Sequence, residues 1–120
     1  MGGEQTRMIY AVDFDGTIVT DEYPAIGKPN KDLITWLLDC RRRGDKIILW
    51  TCREGAKLDE AVRWCLYIYG LEFDAVNSNL PEMVEQFGSD PRKIFADVFI
   101  DDRAILPEQF VWNEKVGTRL

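Results

Sequence analysis

Two aspartates separated by one residue, Asp13 and Asp15, are the first candidates for chemistry in this sequence. They follow the apolar run 8–12 and come directly before Gly16. Neighbouring carboxylates can bind a divalent cation, exchange protons or act as nucleophiles. A calcium loop of the EF-hand type is excluded, because a strand is predicted before Asp13 and the sixth position holds Ile18 instead of glycine. A turn with two solvated acids is the alternative for this stretch taken alone.

Polar residues also lie beside two more apolar runs. Thr51 ends the run 46–50, Lys93 lies shortly before the run 98–100, and Asp101 and Asp102 follow it. Each of these residues is unremarkable alone, since threonine at a strand end is commonly structural and an exposed lysine is commonly solvated. Their recurrence beside predicted strands makes the solvated-turn interpretation of the first motif weaker.

Histidine is absent from the chain. Nucleophile systems that pair serine or cysteine with histidine are therefore excluded, as is histidine-ligated zinc. The three cysteines, Cys40, Cys52 and Cys65, lie far apart and match neither a disulfide framework nor a zinc or redox site, so we expect buried or idle thiols. Any catalysis must rest largely on carboxylates.

The composition fits one globular domain over residues 1–120, with 46% hydrophobic and 30% charged residues. Residues 1–7 contain no secretory signal and are expected to be flexible. No apolar run approaches the roughly 20 residues of a membrane helix, so a cytoplasmic protein without membrane contact is expected. The net charge of −6 disfavours nucleic-acid binding, and the basic triplet 41–43 fits the last turn of a helix instead.

The hydrophobic pattern predicts strands that alternate with helices. Strands are expected over residues 8–12, 46–50, 73–76 and 98–100, and a last edge strand from Phe110 to Trp112. Helices are expected between Asn30 and Gly44, from Leu58 to Tyr69, and from Pro81 to about Phe87. Residues 17–29 lack a helical period and contain two prolines, which predicts an ordered loop or small hairpin.

This alternation predicts an α/β fold in which a parallel sheet carries helices on both faces. Ligands bind such sheets at the carboxyl ends of the strands. Asp13, Asp15, Thr51, Asp101 and Asp102 all follow strands, so we expect them at one edge of the sheet.

The sequence resembles the haloacid dehalogenase (HAD) superfamily in four motifs. These are "DFDGT" from Asp13, "LWTCR" around Thr51, a lysine at Lys93, and "VFIDD" ending at Asp102. They occur in the family's order and on the expected elements. The resemblance implies a single-domain Rossmann-like core without a cap domain, in which residues 18–29 form a short flap, similar to small capless phosphatases.

A magnesium site is part of what this resemblance implies. We expect Mg²⁺ to be held by Asp13, by Asp101 or Asp102, and by oxygen atoms at Asp15, because the ion prefers oxygen ligands. The resemblance favours Asp102 as the direct ligand of the acidic pair. It also gives Thr51 a hydrogen bond to a phosphoryl oxygen, and Lys93 the role of neutralising charge there.

The expected reaction divides phosphate ester hydrolysis into two steps. Asp13 attacks phosphorus and forms an aspartyl-phosphate, while Asp15 protonates the leaving oxygen and then activates water. Phe14 between them should point into the core, and Gly16 should let the chain turn sharply. Thr17, Arg53 and Asn77 lie near enough for substrate contacts but are interpreted as structural or neutral.

A phosphorylated small molecule, a sugar phosphate or a nucleotide-like compound, is the expected substrate, and a homo-oligomeric neighbour is allowed at the open site. Two other hypotheses stay open. A receiver-like signalling domain also uses acids, threonine, lysine and Mg²⁺, but holds its aspartyl-phosphate for long times. A non-catalytic binding module on the same fold is the other.

Overall fold

The computed structural model describes residues 7–109, 112–113 and 118–119. A four-stranded sheet and three helices form the body of the protein, followed by a short 3₁₀ turn and a two-stranded pair. In chain order these elements are β1 Ile9–Val12, α1 Lys31–Arg42, β2 Lys46–Leu49, α2 Gly55–Tyr69, β3 Ala75–Val76, α3 Pro81–Phe87, β4 Val98–Ile100, the 3₁₀ turn Pro107–Gln109, β5 Trp112–Asn113 and β6 Thr118–Arg119. The predicted alternation is confirmed.

The main sheet is parallel throughout, with the strand order β3-β2-β1-β4. Its register sets Val12 of β1 beside Leu49 of β2 and Ile100 of β4. The residues that follow these three strands therefore emerge at the same edge of the sheet.

Both faces of the sheet are covered. On one face, Leu37 of α1 and Cys65 of α2 pack with alternate strand residues such as Val12 and Ile47. On the other face, Leu80 and Ile94 pack on Ala11. The Rossmann-like α/β arrangement with helices on both faces follows from these two apolar layers.

Local signals explain where the helices begin and end. The Asn30 side chain caps α1 by accepting a hydrogen bond from the Leu33 backbone N–H at 3.1 Å. Gly70 ends α2 in the left-handed region, and Pro81 lies in the first turn of α3.

The basic triplet is engaged by acids at the end of α1. Arg41 pairs with Asp74 at 2.7 Å, and Arg42 and Arg43 each have an aspartate within ion-pair distance. The triplet thus lies at the end of a helix, as predicted, and its charges are paired within the fold.

Aspartates at the amino edge of the sheet have structural partners. Asp97 accepts a hydrogen bond from the Ile9 N–H at 2.7 Å, Asp74 accepts one from Ile47 at 2.8 Å, and Asp45 accepts one from Met8 at 3.1 Å. These carboxylates satisfy strand donors that the sheet leaves open. These three aspartates are therefore used within the fold.

The end of the chain corrects one prediction. Trp112 lies in a strand, but that strand pairs antiparallel with β6 and does not join the main sheet. Phe110 and Val111 lie outside the described residues, as do residues 1–6 of the segment expected to be flexible. Among the described residues, the main sheet ends at β4, and no helix is long and apolar enough to cross a membrane.

Candidate active site

The carboxyl edge of the sheet opens into a cavity of about 930 Å³. Hydrogen bonds extend the strand pairing into this edge: the Asp13 N–H donates to the Ile100 carbonyl at 3.0 Å, and Trp50 donates to Val12 at 2.9 Å. The cavity is lined by Asp13, Asp15, Asp21, Tyr23, Trp50, Thr51, Cys52, Arg53, Asn77, Arg92, Asp101 and Arg103. The sequence motifs after β1, β2 and β4 thus meet at one site.

Three carboxylates converge in this site. Asp13, Asp101 and Asp102 each offer an oxygen, and the three oxygens lie within 4.8 Å of one another. Hard divalent cations select oxygen donors at this kind of spacing, so the donor set suits Mg²⁺ or a similar ion. An oxygen from each member of the acidic pair reaches the cluster, so both members can contact an ion.

The Asp15 side chain lies outside this cluster, which consists of Asp13, Asp101 and Asp102. Its Oδ2 accepts from Arg53 Nε at 2.8 Å, and its Oδ1 accepts from Arg53 Nη2 at 2.8 Å. Both carboxylate oxygens are therefore directed at a guanidinium rather than at the other acids. This pair was not predicted from the sequence, where Arg53 is interpreted as structural or neutral.

Burial and neighbouring charge act together on the Asp13 carboxyl. Its pKa is raised from 3.8 to about 6 as the net result: desolvation has the largest effect, a hydrogen bond from the Phe14 backbone lowers the pKa, and the charges of Asp101 and Asp102 raise it. The three acids thus repel one another when ionised, and a bound cation would relieve that repulsion.

Gly16 makes the crowding of the acids possible. Its φ is +89°, and a Cβ atom built on it would collide with the Asp102 carboxylate. The N–H of Asp102 also donates to the Thr17 hydroxyl at 3.2 Å, which joins the turn after β1 to the end of β4. Phe14 points into the core as predicted, fully buried and edge-on to Trp64.

Thr51 is held at the mouth of β2 by two bonds. Its backbone N–H donates to the Asn77 side-chain oxygen at 2.8 Å, and its hydroxyl accepts from the backbone N–H of Arg53 at 3.1 Å. Because the hydroxyl is used as an acceptor, its own hydrogen is left to donate into the cavity. Asn77 has a positive φ of 53°. Its contact with Thr51 supports the turn after β2, as the interpretation of Asn77 as a structural residue expects.

The basic segment before β4, Arg92 and Lys93, is held in position by a buried asparagine, Asn79, which was not predicted from the sequence. Asn79 donates to Asp90 at 2.8 Å and to the Pro91 carbonyl at 3.2 Å, and accepts from the Phe95 N–H at 2.7 Å. Among the described residues, Arg92 lines the cavity, while Lys93 is exposed and does not. The role expected for Lys93 would require its side chain to turn toward the acids.

The flap, residues 18–29, is a short loop whose two arms are joined by hydrogen bonds. Thr20 donates to the Lys28 carbonyl at 2.9 Å and accepts from the Lys28 N–H at 2.8 Å. Its outer part brings Asp21 and Tyr23 to the cavity. The predicted small ordered loop is confirmed, and no folded cap is inserted between β1 and β4.

The cysteines are free thiols. Cys40 and Cys65 are buried in the core, and burial raises the pKa of Cys65 to about 12. Cys52 is exposed and lines the cavity. The expectation of idle thiols fits the two buried cysteines, whose protonated form is favoured by burial.

Replacing Gly16 with alanine is expected to weaken divalent-cation binding by about tenfold or more, because the new methyl group displaces the Asp102 carboxylate. The backbone strain at positive φ should also cost about 1–3 kcal/mol of stability. Gly70→Ala is the matched control, since Gly70 has a φ of +68° and nothing within 4 Å of the added Cβ. Calorimetric titration with Mg²⁺ should therefore separate two variants with similar losses in thermal stability, and equal affinities would contradict the role given to Gly16.

A solved structure of a conserved protein from Bacteroides thetaiotaomicron is similar to this chain. The two share 45% sequence identity and a TM-score of 0.73, over 83% of this chain and 79% of that one. Neither a protein-family model nor a curated protein matches the chain.

Proposed function

The chain belongs to the same family as this conserved Bacteroides thetaiotaomicron protein, and from its own site we propose that it is a Mg²⁺-dependent phosphatase. It hydrolyses a phosphomonoester through an aspartyl-phosphate on Asp13. The resemblance of its four motifs to the HAD superfamily implies this same activity.

One observation carries the proposal: three carboxylate oxygens, from Asp13, Asp101 and Asp102, meet within 4.8 Å at the carboxyl edge of a parallel sheet. Mutual repulsion makes such a cluster unfavourable for folding, so a function is the better reason for it. A solvated turn does not explain acids that are drawn together from two strands. At the amino edge, Asp45, Asp74 and Asp97 each accept a hydrogen bond from a backbone N–H at or next to the start of a strand.

The residues of the site suit phosphoryl transfer in defined roles. Asp13, Asp101 and Asp102 would hold Mg²⁺, which supplies positive charge to offset that of the phosphoryl group and the nucleophile. Asp13 attacks phosphorus, and the ester bond to the leaving oxygen breaks. The aspartyl-phosphate is then cleaved by water, which returns the carboxylate and releases phosphate.

Asp15 and Thr51 complete the chemistry. Asp15 gives a proton to the leaving oxygen and later accepts one from the attacking water. Thr51 donates its free hydroxyl hydrogen to a phosphoryl oxygen, while its backbone is fixed by Asn77. Arg53 binds both oxygens of Asp15, but each oxygen keeps a second lone pair, so Asp15 can exchange a proton with the ester while the pair stays intact.

The shape of the site supports a substrate larger than phosphate alone. The cavity of about 930 Å³ exceeds what a phosphoryl group fills, and aromatic Tyr23 and Trp50 lie in its wall. A sugar phosphate or a nucleotide-like ester fits this space. We include a cytoplasmic location in the proposal, because the free thiols suit a reducing compartment.

Hydrolysis of p-nitrophenyl phosphate by the purified protein tests the proposal directly. We expect turnover with Mg²⁺ and none after chelation with EDTA, with recovery when excess Mg²⁺ is restored. A panel of sugar phosphates and nucleotides then ranks substrates by kcat/KM. Turnover that persists in EDTA would contradict the metal requirement, and the absence of turnover on every ester with Mg²⁺ present would favour a binding module.

Lys93 and Arg92 are expected to act on different parts of the substrate. Lys93→Gln should lower kcat/KM about 10²-fold for every ester, because the resemblance gives this lysine the role of neutralising the charge of the phosphoryl group. Arg92→Gln should spare p-nitrophenyl phosphate and lower kcat/KM for esters whose leaving group carries a second anion, since Arg92 lines the wider cavity. Steady-state kinetics on both ester types decides, and the reverse pattern would assign the phosphoryl contact to Arg92.

A further inference from the structure

Arg53 is a buried cation in the wall of the proposed active site. Its side chain is only 1% exposed, although it carries a charge at every physiological pH. Burying a guanidinium is costly unless its charge and its donors are fully matched. The partners of Arg53 therefore indicate what the residue is kept for.

All five N–H donors of the Arg53 side chain are used. Nε and Nη2 bind the two oxygens of Asp15, each at 2.8 Å, in a two-bond fork. Nη2 also donates to the Ala25 carbonyl at 2.9 Å, and Nη1 donates to the carbonyls of Pro24 at 3.4 Å and Lys57 at 3.3 Å. No donor remains for a substrate, which excludes a direct phosphate contact in this arrangement.

The guanidinium is also enclosed between two aromatic rings. Its Cζ lies 5.0 Å from the ring centres of Phe14 and Tyr23. Phe14 belongs to the turn that carries the acids, and Tyr23 belongs to the flap. Cation–π attraction at this distance adds to the hydrogen bonds and fixes the plane of the guanidinium.

These contacts join three separate segments at one residue: the turn after β1 through Asp15, the flap through Pro24 and Ala25, and the start of α2 through Lys57. Because one rigid, planar group makes all of them, a shift of the flap changes the direction of the Asp15 bonds.

We propose that Arg53 is a positioning residue, which aims the Asp15 carboxylate and fastens the flap to it, so that acid/base geometry and flap position change together. The inference rests on the proposed phosphatase function. It assigns Arg53 no contact with the substrate, in contrast to Thr51 and Asp15.

Kinetics with two leaving groups provides the test. Arg53→Met should lower kcat/KM, which reports the first phosphoryl transfer, about 10²-fold for an alkyl phosphate but less than about tenfold for p-nitrophenyl phosphate. The reason is that a poor leaving group needs the proton from Asp15, whereas p-nitrophenolate leaves without it. Arg53→Lys should resemble Arg53→Met, because lysine keeps the charge but lacks the fork.

A double-mutant cycle separates positioning from general damage. If Arg53 acts through Asp15, then Asp15→Asn combined with Arg53→Met should be no slower on the alkyl phosphate than Asp15→Asn alone. Arg41→Met is the matched control, since Arg41 forms a comparable 2.7 Å pair with Asp74 away from the site, and its kcat/KM ratio for the two esters should equal that of the wild type.

The flap contact has its own readout, cleavage by a glutamate-specific protease after the exposed Glu22. Arg53→Met and Arg53→Lys should be cut faster at this bond than the wild type, while Arg41→Met should not. Equal cleavage in all variants would overturn the coupling to the flap. Equal losses on both esters, additive effects in the cycle, or full activity of Arg53→Lys would overturn the positioning of Asp15.

The two proposals fail in distinguishable ways. If the wild-type protein hydrolyses neither ester with Mg²⁺, the phosphatase function itself is wrong. If the wild type hydrolyses both and Arg53→Met does not reproduce the leaving-group pattern of Asp15→Asn, only the inference about Arg53 is wrong.

Discussion

Replacing Asp13 with asparagine is expected to lower hydrolysis of p-nitrophenyl phosphate by about 10⁴-fold or more. A carboxamide cannot form the aspartyl-phosphate, and it is a weaker ligand for a divalent cation than a carboxylate. Steady-state assays with saturating Mg²⁺ measure the loss. Asp59→Asn, which removes an exposed carboxylate on α2, is the control and should retain full activity.

The same substitution should stabilise the protein when no divalent cation is present. Burial raises the folded-state pKa of Asp13 to about 6, above the 3.8 of an unperturbed aspartate. Stability from this group is therefore fully present below about pH 4 and is lost as the pH rises through 6. Asparagine does not ionise, so it loses no stability as the pH rises. After allowance for the partial exposure of Asp13, the Asp13→Asn protein should be more stable than the wild type by about 1–2 kcal/mol at pH 7.

Chemical denaturation in EDTA at pH 4 and pH 7 measures this difference. The gap between Asp13→Asn and wild type should widen as the pH rises, and Mg²⁺ should reverse it, because the cation binds the folded wild type and stabilises it by mass action. A gap that is independent of both pH and Mg²⁺ would contradict the acid cluster as a cation site. Retained hydrolysis in Asp13→Asn would contradict the nucleophile assignment.

The sequence predicts the positions of the acids better than their partners. Asp13 and Asp101 follow short apolar runs, and parallel pairing brings the ends of such runs to one edge regardless of the loops between them. The alternation of strands and helices was therefore sufficient to predict both the fold class and the meeting of these two residues.

The binding partner of Asp15 could not be obtained in the same way. Arg53 follows β2 by a few residues in an irregular segment, where no periodicity distinguishes a buried side chain from a solvated one. Its burial depends on the flap carbonyls of Pro24 and Ala25, which are distant in sequence. The only local signal is its place two residues after Thr51, in the motif "TCR".

The basic segment before β4 shows a similar limit. Arg92 and Lys93 are adjacent cations, and the direction of each depends on the hydrogen bonds that Asn79 makes with the segment 90–95. A buried asparagine in a loop has no periodic signature. The prediction of a last edge strand failed for a different reason: Trp112 has strand propensity, but its strand pairs antiparallel with β6, a few residues further along the chain, and not with the main sheet.

Asp15→Asn should make the aspartyl-phosphate visible. Without a group to accept the proton of the attacking water, discharge of the intermediate should slow by about 10²–10⁴-fold. Formation from p-nitrophenyl phosphate is affected less, since its leaving group does not need protonation. Intact-mass spectrometry after acid quenching should then show one added phosphoryl group on most of the Asp15→Asn protein and on little of the wild type.

The double variant Asp13→Asn with Asp15→Asn is the control, and it should show no added mass. Retention of the phosphoryl group in that variant would mean that another side chain is the acceptor. A phosphorylated wild-type protein that survives for minutes would instead favour the receiver-like hypothesis, in which no residue discharges the aspartyl-phosphate. Asp15 thus decides between the two uses of one fold: a carboxylate beside the phosphorylated aspartate turns a stored phosphoryl group into a short-lived intermediate.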